Sequence, residues 1–200
     1  MAGRILYTIG HSTRTLERFL ELLQREGVQR VADVRRFPMS RRLPHFNREA
    51  LSESLRANAL DYIHVEAMGG RREHGDSLPP TGWRVGAFNA YAHYMSTPAF
   101  RSALDRVLAL AEERPTTVMC AEAVPWRCHR NLISDAATAR GCEVRHIMDD
   151  GTKVHELAPF ATVENGEVIY REPPPVQPSL FDAADTPPSG RRHTAGRDDR

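Results

Sequence analysis

The chain has 200 residues, 27 of them basic and 26 acidic, with a formal charge of +1 and 40% hydrophobic residues, enough for one domain with an apolar core and a polar remainder. Its three cysteines argue against a disulfide framework. The lack of a cationic-then-apolar leader, or of an apolar run of about twenty residues, argues against export and against a membrane partner, so a soluble protein in a reducing cytoplasm is expected.

All the basic residues except Lys153 are arginine, the side chain suited to planar, bidentate contacts with phosphate or carboxylate. In chain order, "RILYTIG" predicts a strand ending in glycine. "HSTRTLERFLELLQREGV" follows as a helix, with Leu16, Phe19, Leu20 and Leu23 at helical spacing, an N-cap among Ser12, Thr13 and Thr15, and Gly27 just past its end. "VQRVADVR" is a second strand, and "FNREALSESLRANAL" a helix that Asn47 caps while Phe46 packs on Leu51. "DYIHVEAMGG" reads as a third strand breaking at Gly69 and Gly70. The aperiodic "RREHGDSLPPTGWRVG" after it, which holds Arg71 and Arg72, reads as a long loop of the kind that often lies over a site.

"FNAYAHYM" and "TPAFRSALDRVLALAEERP" are helical, the second with Thr97 as cap and Pro98 in the first position. "TTVMCAE" is a fourth strand, "CHRNLISDAATARG" a helix closed by Gly141, and "CEVRHIM" a fifth strand. "ATVENGEVIY" carries the Asn-Gly turn of a tight hairpin that would add an antiparallel edge. Strands alternating with helices define an α/β fold: a single domain over residues 1–171, with a mainly parallel sheet of about five strands, flanking helices and an antiparallel C-terminal hairpin. From Glu172 to Arg200 the composition predicts a disordered tail.

Ligands of an open parallel sheet bind outside the carboxyl ends of its strands. Those ends carry His11 and Ser12 after the first strand, Asp33 and Arg35 in the second, Gly69 and Gly70 after the third, and Cys120 to Arg130 after the fourth. Asp33 inside a buried strand is costly without a cation or donor. Either it forms a structural ion pair with Arg35, or Arg35 joins Arg36, Arg41 and Arg42 in an anion-binding loop, "RRFPMSRRLPHFN", that its prolines stiffen.

In "CAEAVPWRCHR", seven residues separate Cys120 from Cys128, whereas zinc sites usually place paired cysteines about two to four apart. A metal held by Cys120, Cys128, His129 and a distant histidine such as His11 is therefore disfavoured, and no cofactor is expected. As a nucleophile that accepts a phosphoryl group or sulfur, Cys120 sits at the strand end as required. Arg127, however, falls one place late for such a loop, and Glu122 and Pro125 stand where N–H donors belong. Cys128, at a helix start beside Arg127 and Arg130, has the setting that lowers a thiol pKa, while Cys120 and Cys142 also read as small buried hydrophobes. Glu122 is the candidate general base, with His11 or His129 as acid partner.

The tail contains "PVQPSLFDA", in which Gln177, Leu180 and Phe181 resemble the short peptide by which bacterial polymerases and repair proteins dock on the replication sliding clamp. In that peptide the glutamine hydrogen-bonds at one end and the Leu-Phe pair fills a pocket; Pro178 stands here where leucine is more usual. The resemblance implies the clamp as a partner.

"TIGHS", "DVRRFPMSRRLPHFN", "MGG", "YMSTPAF" and "CAEAVPWRCHR" together resemble the bacterial and archaeal family of domain of unknown function 488, over roughly residues 5 to 150. The resemblance implies that His11, Ser12, Asp33, Arg35, Cys120, Glu122, Cys128, His129 and Arg130 belong to one site. "VADVR" with a later strand-end cysteine is also similar to a rhodanese, but without that family's arginine-and-serine pattern after the cysteine.

The leading expectation is an enzyme acting on a phosphate-bearing substrate, nucleic acid or nucleotide, in DNA maintenance. Ser12, Arg35, Arg36, Arg41, Arg42 and Arg130 would hold phosphate, and His11, Glu122, Cys120 and Cys128 would carry the chemistry. Asp33, Asn47, Gly69, Gly70 and His129 would support the site. A non-catalytic metal or redox sensor or clamp-tethered adaptor, and a thiol-dependent sulfur or phosphoryl transferase, are the alternatives.

Overall fold

The computed structural model describes residues 4–70 and 78–171. Strand β1 (Ile5–Gly10) is mostly buried and β4 (Thr116–Cys120) wholly so, as central parallel strands covered on both faces must be. They pair with each other, and β2 (Arg30–Asp33), β3 (Asp61–His64) and β5 (Glu143–Met148) extend the parallel sheet on either side. Strand β6 (Gly151–Val154) adds an antiparallel edge, giving the order β3-β2-β4-β1-β5-β6.

Two helical layers cover the sheet. On one face α1 (Leu16–Arg25) and α2 (Arg48–Ala57) press Phe19, Leu22, Leu23, Leu51 and Leu55 against Ile9, Val31 and Met119. On the other face α3 (Gly86–Met95), α4 (Pro98–Glu113) and α5 (Arg130–Ala139) bring Tyr91, Phe100, Leu104, Leu132 and Ile133 onto Leu6, Ala32, Val118 and Cys120. The chain leaves β1 and β2 toward the first layer and leaves β4, which lies between them, toward the second. Neighbouring strands that send their connections to opposite faces open a crevice at their carboxyl ends.

The sheet, the flanking helices and the hairpin are as the sequence indicates, with three differences of detail. The Asn-Gly hairpin forms as β7 (Ala161–Glu164) and β8 (Glu167–Tyr170), but as a separate two-stranded sheet that packs Val168 and Tyr170 onto the α3–α5 layer. The antiparallel edge is instead β6, whose "GTKV" is too short and polar to stand out as a strand. Of the three residues offered as N-cap of α1, Thr15 takes the role, accepting from the Arg18 N–H at 3.2 Å. Asn47 occupies the N-cap position of α2 but its side chain makes no capping bond; its Oδ1 accepts from the Ser40 N–H at 2.6 Å and so ties down the arginine-rich loop.

Residues 71–77, with Arg71 and Arg72, and the tail 172–200, with Gln177, Leu180 and Phe181, lie outside the described residues. Among the described residues no helix is long and apolar enough to cross a membrane.

Candidate functional site

Asp33, the last residue of β2, is fully buried. Its carboxylate accepts from Arg35 through the backbone N–H (3.0 Å), Nε (2.9 and 3.1 Å) and Nη2 (2.6 Å), and from the Tyr62 hydroxyl (2.8 Å). Burial and the Asp33 charge push the Tyr62 pKa up, which keeps that hydroxyl a donor. Arg35 Nη1 lies 3.3 Å from His11 Nε2, and His11 Nδ1 lies 2.9 Å from the Ser12 carbonyl oxygen. A carbonyl only accepts, so Nδ1 carries the ring hydrogen and Nε2 turns its lone pair to the guanidinium. Burial, and then the Arg35 charge, hold the His11 pKa down to about 4. The neutral ring stacks on Phe46 with centroids 4.3 Å apart. With its one hydrogen given to Ser12, His11 turns its lone pair to Arg35 and helps to hold that guanidinium in place.

At the end of β4 the chain doubles back over β1. A Cβ on Gly10 would overlap the Glu122 carbonyl, so only glycine permits this approach. The turn sets Cys128 Sγ 3.0 Å from Cys120 Sγ. His129 Nε2 lies 3.3 Å from the Val34 carbonyl and therefore donates, which leaves the Nδ1 lone pair facing Cys128 Sγ at 3.3 Å. A Cβ on Gly70 would overlap this imidazole, and one on Gly69 would press on the Arg36 backbone. Gly70 thus leaves room for the ring that faces the thiols, and Gly69 for the close pass of Arg36.

Arg130, expected among the phosphate ligands, is 1% exposed and stands outside the cavity lining described below. Its Nη2 donates to the carbonyls of Glu122 (3.3 Å) and Ala123 (3.1 Å), while Nε and Nη1 find no partner among the described residues. A buried guanidinium without a carboxylate is costly, and its charge acts on Cys120. Burial pushes the Cys120 thiol up, but the Cys128 hydrogen bond and the Arg130 charge outweigh it and bring the pKa below the ordinary value. Cys128 is driven well above that value, first by its bond to Cys120 and then by burial. The Cys128 S–H is thus aimed at Cys120, the sulfur of the pair whose pKa is held down.

A cavity of about 480 Å³ opens over these groups at the carboxyl ends of β1, β2 and β4. Cys120, Cys128, His129, Arg35, Arg36 and Arg127 line it, together with His11, Glu122 and Gly70. Glu122 is exposed there and makes no side-chain hydrogen bond among the described residues. Arg41 and Arg42 are exposed outside the lining, because the turn tied by Asn47 carries them away from the crevice. Ser12, in a left-handed backbone conformation (φ 51°), contributes its carbonyl and not its hydroxyl. Among the described residues no group of three or more His, Cys, Asp or Glu side chains is placed to hold a metal.

Sequence reasoning missed a second buried polar cluster. The Thr8 hydroxyl lies 2.7 Å from His146 Nδ1, His146 Nε2 lies 3.0 Å from His155 Nδ1, and His155 Nε2 lies 2.8 Å from Asp135 Oδ1. The Ala158 N–H and the Tyr170 hydroxyl also donate to Asp135. Asp135 only accepts, so each hydrogen in the row points toward it: Thr8 to His146, His146 to His155, His155 to Asp135. His146 and His155 also line a cavity of about 340 Å³ with Asn131, Lys153 and Trp126. The available signal was Asp135 itself, an acid beside Ile133, Ala136 and Ala137 on the buried side of α5. The other members of the cluster come from four segments with no pattern in common.

No curated protein and no solved structure matches the chain. The family model described as "Domain of unknown function DUF488" matches residues 15–137, from just before α1 to near the end of α5. That span contains Asp33, Arg35, Cys120, Glu122, Cys128, His129 and Arg130, and it stops short of His11. Because the match covers more than half of the chain, the protein belongs to the DUF488 family.

Proposed function

We propose that this protein is an enzyme that takes a phosphate-bearing substrate, a nucleotide or nucleic-acid end, into the cavity at the strand ends and attacks it with the Cys120 thiolate. The observation that carries this reading is a pair of sulfurs 3.0 Å apart in the wall of a cavity that Arg35, Arg36 and Arg127 also line; Cys128 and the Arg130 charge favour the anionic form of Cys120 there. The volume suits a ligand of nucleotide size. Arginine forks match phosphate oxygens bidentately and offset the repulsion between a thiolate and an anionic substrate. Arg35, braced by Asp33 and His11, is held in one orientation and still has further N–H groups to offer. Glu122 stands exposed on the same wall, where it can move a proton to or from a leaving group or water.

Calorimetric titration with inorganic phosphate, nucleotides and short single-stranded DNA tests the binding step. Binding that weakens as salt rises, and that falls at least tenfold in Arg36→Ala with Arg127→Ala, is the expected outcome. No binding at low salt, or binding indifferent to salt, contradicts the reading. Cys120→Ser is expected to keep the ligand and lose turnover. Mass spectrometry of a stalled wild-type reaction then tests for a phosphoryl group on Cys120.

The tail peptide with Gln177, Leu180 and Phe181 fits the same reading, as a tether to the replication clamp that would place the enzyme in DNA maintenance within the cytoplasm.

A further inference from the structure

We propose that Cys120 and Cys128 close reversibly into an intramolecular disulfide, giving this chain a dithiol oxidoreductase activity toward small hydroperoxides. The inference does not rest on the phosphate-bearing substrate, since the bond forms between the chain's own sulfurs whatever else the cavity accepts.

Geometry carries it. The two sulfurs stand 3.0 Å apart, so closing to a disulfide of about 2.05 Å takes a shift of only about 1 Å. Cys128 lies in extended backbone between the short 3₁₀ turn Pro125–Arg127 and α5, outside any regular element that would resist that shift. Both cysteines line the 480 Å³ cavity, which gives a small oxidant a path to them. His129 Nδ1 faces Cys128 Sγ at 3.3 Å, placed to take the proton that this thiol must lose. A thiolate-biased cysteine that lines an open cavity and stands beside a second thiol is the arrangement that reversible oxidation requires. The third cysteine, Cys142, lies apart against Arg4 at 3.9 Å, with its pKa raised by burial, and serves as an internal control.

The steps balance. The Cys120 thiolate attacks one oxygen of the hydroperoxide and the O–O bond breaks. The departing oxygen takes a proton and leaves as water or alcohol, and Cys120 becomes a sulfenic acid. The Cys128 sulfur then attacks the Cys120 sulfur, and its proton passes by way of His129 to the departing hydroxide, which leaves as water. Two thiols have given two electrons to the peroxide, and a dithiol reductant returns them.

The test uses the full chain, fully reduced, given one equivalent of hydrogen peroxide and then an alkylating agent. Expected are alkylation of Cys142 alone among the three free thiols, a peptide linking Cys120 to Cys128, and recovery of all three thiols with dithiothreitol. In Cys128→Ser the oxidation is expected to stop at a Cys120 sulfenic acid that dimedone captures. The inference is overturned if the wild-type chain shows no Cys120–Cys128 link, if that link joins only separate chains, or if Cys120 oxidises no faster than Cys142.

Discussion

Asp33 and Arg130 pose the same electrostatic problem with opposite solutions. Asp33 is fully buried and receives Arg35 and Tyr62. Replacing it with Asn leaves the Arg35 charge buried and unpaired, which costs about 3–5 kcal/mol in comparable pairs. Chemical denaturation of Asp33→Asn is therefore expected to show a loss of that order, and a change under about 1 kcal/mol would mean that the pair is dispensable. The Asp33–Arg35 pair was legible in the sequence, because an acid in a buried apolar run and a base two residues on have few other places to go. The inward course of Arg130 was not. A long arginine at the start of a helix can reach outward to an anion or inward under the preceding strand, and only the fold decides which. The same holds for His11, whose position at the rim could be read but whose tautomer depends on the Ser12 carbonyl and Arg35 together.

The elements that build the cavity could be read from periodicity and caps, and those that build the second polar cluster could not. The apolar runs of β1, β2 and β4 and the periodic faces of α1 and α4 carry strong local patterns. By contrast, β6 is a four-residue edge strand with three exposed positions, stabilised by pairing with β5 and not by its own composition. The Thr8–His146–His155–Asp135 row joins β1, β5, α5 and the segment before the hairpin, so no window of sequence contains it.

This row has a consequence for stability. Burial, and then the neighbouring His155 charge, hold the His146 pKa down to about 3. The unfolded chain takes up that proton near pH 6.5, so between about 6.5 and 3 the unfolded state binds more protons than the folded one. Stability from His146 is thus complete above pH 6.5 and is lost as pH falls toward 3; His11 adds to the same loss down to about pH 4. Each proton contributes a slope of about 1.4 kcal/mol per pH unit. Denaturation measured from pH 7 to pH 5 is expected to show falling stability in the wild type and a shallower slope in His146→Asn. Equal slopes would remove His146 from this account.

At the scale of the whole molecule, the order β3-β2-β4-β1-β5-β6 matters most, because it seats β4 between two strands whose connections leave toward the opposite face. The crevice that results gathers Asp33, Arg35, His11, Cys120 and Cys128 from segments far apart in the chain. Belonging to the DUF488 family gives the molecule its relatives without giving it a reaction, so the chemistry of the crevice has to supply the function. The proposed clamp tether makes its own demand. Leu180→Ala with Phe181→Ala is expected to abolish binding to the purified clamp while leaving the melting temperature unchanged, and unaltered binding would refute the tether.

The central claim is that Cys120 is the thiolate of this crevice, stabilised by Cys128 and by the buried charge of Arg130. The most direct measurement is the rate of Cys120 alkylation as a function of pH, followed by peptide mass spectrometry with Cys142 read in the same sample. The account predicts a Cys120 midpoint below the ordinary thiol value of about 8.5, a Cys142 midpoint above it, and an upward move of the Cys120 midpoint in Arg130→Met. A Cys120 midpoint at or above that of Cys142, or one that ignores the loss of Arg130, would contradict it.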